Sequence, residues 1–232
     1  MSNRPPLRVR PAVPWSPRQV ALGAGLVTLA IALVFAVGRF LERDSAATPV
    51  ATVLAASAFV SVVMVAAAYG MGPRAAGGLR ALFGGRRSSP ARMLGWAALA
   101  FLASYAATLV YVLAAESVTD AAVPSPIPAS FLEELPLLTL VLVVLVGPAA
   151  EEIFFRGFCF AGLVGRWGFW GAAVASSGLF GLAHLDPALM GPAFVSGFVF
   201  AWVYWRTGSL WPVVLAHTAR NGVALAVVAS LL

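Results

Sequence analysis

The sequence predicts an all-α fold, a polytopic bundle of about seven membrane-crossing helices, and three observations predict it. Of the 232 residues, 61% are hydrophobic and only 10% are charged, with a mean hydropathy of +0.91, which excludes a soluble globular domain. The charges fall in clusters separated by uncharged runs of about 20 residues, the length a helix needs to cross a bilayer. All 15 basic residues are Arg, and most sit on an N-terminal tail and on short connections. The net charge of +6 is therefore a matter of membrane orientation, and no nucleic-acid surface is expected.

Residues 1–17 hold Arg and Pro without apolar periodicity and predict a disordered, basic cytoplasmic tail, followed by a single transmembrane domain over 18–232. Span one covers 20–38 and span two 50–72, joined through Arg39, Glu42, Arg43 and Asp44, whose charges cancel. The next connection carries Arg74, Arg80, Arg86, Arg87 and Arg92 without an acid, which places it, and the N-terminus, in the cytoplasm. Span three covers 93–115; the following loop has acids, Pro124, Pro126 and Pro128 but no Arg, and faces outward.

The fourth apolar run starts near 135 and passes 160, interrupted by Gly147 and Pro148. Proline suits the first turn of a helix and disrupts an interior, so the pattern predicts a broken helix whose second piece starts at Pro148 and carries Glu151 and Glu152 in its early turns. Spans five, six and seven cover 167–184, 188–205 and 210–232. The single Cys159, within an apolar run, excludes a disulfide framework or a paired-thiol metal site. Arg-only basic residues with abundant Ala point to a bacterial plasma membrane.

Ionisable side chains inside a bilayer cost roughly 2.5–3.5 kcal/mol each on insertion scales and mark function. Here they are Glu151, Glu152, Arg156, His184, His217 and Arg220, with the uncharged Asn221, all in the C-terminal half. Glu152 and Arg156 are four apart, share a helix face and can pair. Glu151 lies about 100° away around the helix and stays free to activate water. His217 and Asn221, also four apart, share a face with no acid beside them in sequence. Read blandly, the acids and Arg156 sit at the membrane surface and His184 is an interfacial histidine at a helix end. Two adjacent acids after a run of Leu and Val, with both histidines of the chain in the same half, favour a site.

Three clusters, Glu151-Glu152-Ile153-Phe154-Phe155-Arg156, Phe180-Gly181-Leu182-Ala183-His184 and His217-Thr218-Ala219-Arg220-Asn221, resemble the EExxxR, FxxxH and HxxxN motifs of the CAAX-processing and bacteriocin-processing (CPBP) intramembrane proteases, which include the type II CAAX prenyl endopeptidases. The resemblance covers roughly residues 135–225. It implies an intramembrane endopeptidase in which Glu151 and His184 polarise a water, His217 and Asn221 bind the oxyanion, and Glu152, Arg156 and Phe180 support the site. It also implies a peptide or membrane-protein substrate reached from the lipid bilayer, and no cofactor.

A zinc site built from one Glu and two His is the mechanistic rival, although no H-E-x-x-H is present. A proton-relaying transporter would place broken helices in two similar halves, whereas the polar groups here keep to one half. A non-catalytic immunity or scaffold protein would keep the motifs without the activity.

Overall fold

The computed structural model describes residues 13–41, 49–72, 74, 78–83, 89–119 and 127–232. Most of the expected tail lies outside the described residues, as do Glu42, Arg43, Asp44, Arg86, Arg87, Pro124 and Pro126. The described chain is helical without strands: α1 Pro17–Leu41, α2 Val50–Met71, α3 Arg80–Phe83, α4 Pro90–Thr119, α5 Ala129–Glu134, α6 Pro136–Leu182, α7 Pro187–Thr207 and α8 Trp211–Ser230. Six of these, α1, α2, α4, α6, α7 and α8, are long and apolar enough to cross a membrane. Helices meet the demand that backbone groups in hydrocarbon pair within their own segment, and the protein is an integral membrane helical bundle.

The residues just before α1 belong to the fold, although the sequence assigns 13–17 to the tail. Trp15 is buried, stacks on Phe158 and donates from Nε1 to the Phe158 carbonyl at 3.0 Å. Ser16 and Gln19 form the reciprocal half of a capping box, with the Ser16 N–H donating to Gln19 Oε1 at 2.8 Å. Gln19 Nε2 then donates to the Met71 carbonyl at 2.8 Å, tying the start of α1 to the end of α2. Phe158 of α6 wedges between these helices, where a Cβ on Gly23 would lie 2.6 Å from its ring and one on Gly72 2.7 Å.

The interruption expected at Gly147 and Pro148 is a change of winding, not a gap in the helix. Leu140–Val146 and Glu152–Phe160 wind as π-helix, with Gly147–Glu151 α-helical between them. Gly147 keeps right-handed helical angles and its N–H bonds the Leu142 carbonyl, five residues back. The wider i→i+5 turn gives the Pro148 ring room against the preceding carbonyls, so the proline is absorbed into a continuous helix.

The true reversal in α6 comes later. Gly168 has φ 66° and ψ −178° inside the 47-residue segment, and the rings on either side pair antiparallel: Phe160 with Phe169 at 6.1 Å and Phe155 with Phe180 at 5.1 Å. Thus α6 folds back on itself in two arms. Scoring those arms separately gives the seven crossings read from the sequence; counting continuous helices gives six. Only glycine adopts this backbone cheaply, so Gly168→Ala is expected to cost about 1–3 kcal/mol of stability, measurable as a lowered unfolding midpoint in detergent.

The second arm of α6 packs along α7, while α4 packs against α7 and α8. Asp186 caps α7 by accepting the Ala188 N–H at 2.9 Å, and Gly208, at φ 65°, ends it in the left-handed conformation. Trp96 of α4 meets Trp202 of α7 edge to face at 5.7 Å. Glu152 and Arg156 of α6 and His217 of α8 are thereby enclosed within the bundle.

Candidate active site

Glu152 is fully buried at the start of the second π-wound stretch. Its Oε1 accepts from Arg156 Nη1 at 2.9 Å, the i,i+4 pair expected from the spacing, and from His217 Nδ1 at 2.9 Å. A carboxylate only accepts, so this contact places the proton of His217 on Nδ1 and turns Nε2 away from Glu152. His217 Nε2 lies 3.6 Å from Glu151 Oε2. Arg156, Glu152, His217 and Glu151 thus form one linked chain.

The two adjacent acids differ in surroundings, as their spacing predicts. The Glu152 side chain is 0% exposed, whereas that of Glu151 is 29% exposed. The former is committed to its partners and the latter opens onto a cavity of about 410 Å³. His184 lines the same cavity, together with Phe155 and Phe180 of α6, Ile31 of α1, and Ser57 of α2. Glu151 and His184 lie almost equally far along the chain from Gly168, on opposite arms, so the reversal there brings them to one level of the bundle.

His184, two residues past the end of α6, is fixed from that helix. Its Nδ1 lies 2.9 Å from the Phe180 carbonyl, which can only accept, so Nδ1 donates and Nε2 is the nitrogen left without a bond to the helix. The ring meets Phe180 edge to face at 4.9 Å. Leu185, the next residue, has φ 59°, a left-handed conformation that costs a non-glycine residue roughly 1–3 kcal/mol. It turns the chain sharply from α6 into the Asp186 cap and holds His184 at the rim.

Phe180 is the hub beneath these groups. The Arg156 guanidinium carbon lies 4.4 Å from its ring centroid and 5.5 Å from that of Phe200, a cation–π arrangement that offsets burial of the charge. His217 packs on both rings, at 5.8 Å and 5.4 Å. Phe200 and Gly197 are site residues that the sequence reading missed. A Cβ on Gly197 would lie 2.8 Å from Arg156 Nη2 and 3.0 Å from Phe180 Cδ1, so the guanidinium fits only because α7 has no side chain there. A glycine in an apolar span gives no signal of this until α6 and α7 are packed together.

The remaining expected residues lie outside the cavity. His217 and Asn221 are not part of its lining, and Asn221 Nδ2 donates to the Val143 carbonyl at 2.8 Å. Arg220 turns to α4, donating from Nη2 to Thr108 Oγ1 at 3.1 Å and packing 5.3 Å from the Tyr105 ring. Among the described residues, no three His, Cys, Asp or Glu side chains converge as a metal-ligand set.

Comparison with known proteins falls on this same region. Residues 133–223 match the family model described as "Type II CAAX prenyl endopeptidase Rce1-like", a segment that contains Glu151, Glu152, Arg156, His184, His217 and Asn221. Over 90 residues the chain is 36% identical to the Bacillus subtilis (strain 168) protein named "Putative membrane peptidase YdiL", covering 39% of this chain and 36% of that protein. The alignment therefore spans little more than a third of that relative's length, and α1, α2 and α4 lie outside the matched segment. No solved structure matches the chain.

Proposed function

We infer that this membrane-spanning chain, whose residues 133–223 match the Rce1-like CAAX endopeptidase model, hydrolyses a peptide bond in an apolar or lipid-modified peptide or membrane-protein substrate. The observation that carries this reading is the convergence of Glu151 and His184 on one cavity within the helical bundle. In the proposed reaction Glu151 takes a proton from water while the water oxygen adds to the scissile carbonyl carbon. The tetrahedral intermediate then loses its C–N bond, and the proton passes to the departing amine. His184 Nε2 is the second polar group able to hold that water.

His217 and Asn221 are better placed to support than to touch substrate. With Nδ1–H held by Glu152, His217 turns Nε2 towards Glu151 and can share the proton that Glu151 acquires, following the logic by which a buried carboxylate orients a histidine in a catalytic triad. The basic connection between α2 and α4 supports a cytoplasmic N-terminus, and the Bacillus relative supports a bacterial plasma membrane.

The test is cleavage of an internally quenched apolar peptide by the purified protein in detergent. His184→Ala is expected to lower turnover by about 10²-fold or more, and a chelator to leave it unchanged. Loss of activity with chelator would transfer the reaction to the zinc rival. A wild-type protein that cleaves no peptide of a broad apolar panel would remove the endopeptidase reading.

A further inference from the structure

Pro148 leaves a defect in α6 that the rest of the protein has to correct. In the π-wound stretch each N–H serves the carbonyl five residues back, as the Gly147 N–H does for Leu142. The next donor in that register is residue 148 and the next acceptor is Val143. Proline has no N–H, so the Val143 carbonyl has no donor from its own helix in that register. In a membrane interior water does not fill such a place, and a stranded carbonyl costs several kcal/mol. The observed donor is Asn221 Nδ2, 2.8 Å away on α8.

The same helix supplies the other polar contact to this arm. His217, one turn before Asn221, reaches Glu151 and Glu152, while Asn221 reaches Val143 on the preceding part of α6. The two side chains fasten α8 to α6 on either side of the short Gly147–Glu151 stretch that ends in Glu151. We propose that Asn221 is a positioning residue, whose amide substitutes for the N–H that Pro148 lacks and thereby sets the turn presenting Glu151. The activity readout below rests on the endopeptidase reading; the stability readout does not.

Restoring the missing donor tests the idea. In Pro148→Ala the backbone N–H of residue 148 can serve Val143, so Asn221 should become dispensable. Four proteins are compared in detergent by cleavage kinetics and thermal unfolding: wild type, Asn221→Ala, Pro148→Ala and the double variant. Asn221→Ala is expected to lower kcat by about 10²-fold, the loss typical of a misplaced catalytic group, with little change in KM. Adding Asn221→Ala to the Pro148→Ala protein is expected to change kcat by less than about threefold and leave Tm unchanged. A double variant as inactive as Asn221→Ala, with Tm losses that simply add, would overturn the proposal and return the amide to direct contact with substrate. If no variant cleaves peptide, the Tm cycle alone still decides it, and an Asn221→Ala protein that folds only alongside Pro148→Ala supports it.

Discussion

Glu151→Gln is expected to abolish measurable peptide cleavage while leaving the bundle intact. The substitution keeps the shape of the side chain and removes only the ability to take a proton, a role worth about 10²–10⁴ in rate for a positioned general base. Its cost to folding is expected to be small, because the Glu151 side chain is 29% exposed on the cavity and its contact to His217 Nε2, at 3.6 Å, is long. The measurement is kcat for the quenched peptide alongside the unfolding midpoint. Turnover within a few-fold of wild type would show that another group activates the water.

The second large effect is expected at Arg156, where it falls on stability. Arg156→Met leaves Glu152 buried at 0% exposure with its cation gone, and breaking a buried pair from one side costs about 3–5 kcal/mol. The guanidinium also loses its places over Phe180 and Phe200. Activity should fall with it, since Glu152 is what holds the Nδ1 proton of His217. Removing the second charge as well, in Arg156→Met with Glu152→Gln, is expected to recover much of the stability but not the activity, because a neutral amide leaves His217 without its anionic partner. Equal stability of Arg156→Met and wild type by denaturant titration would contradict the pair's assigned role.

How much of this was legible in the sequence follows from the range of the forces involved. Local patterns announce the spans, because crossing a bilayer is a matter of length and apolarity over one segment. They also announce the Glu152–Arg156 pair, which depends only on the pitch of a single helix, and they separate Glu151 from Glu152 on the same grounds. Gly147 and Pro148 signal an irregularity in α6, but whether a helix breaks or widens depends on what packs around it. The position of Gly197 under Arg156 and the bond from Asn221 to Val143 depend on the register between helices distant in sequence. Trp15 shows the opposite limit: in a Pro- and Arg-rich segment its burial under Phe158 has no periodic signature at all.

Gly168 has a consequence for how this chain can tolerate change in length. Because the reversal there brings Glu151 and His184 level, one residue inserted or deleted between them would slide one partner about 1.5 Å along its helix and swing it about 100° about the axis, out of the shared cavity. The connection between α2 and α4, by contrast, carries neither group. The stretch from Glu151 to His184 therefore works as a molecular vernier, open to exchange of side chains but closed to indels.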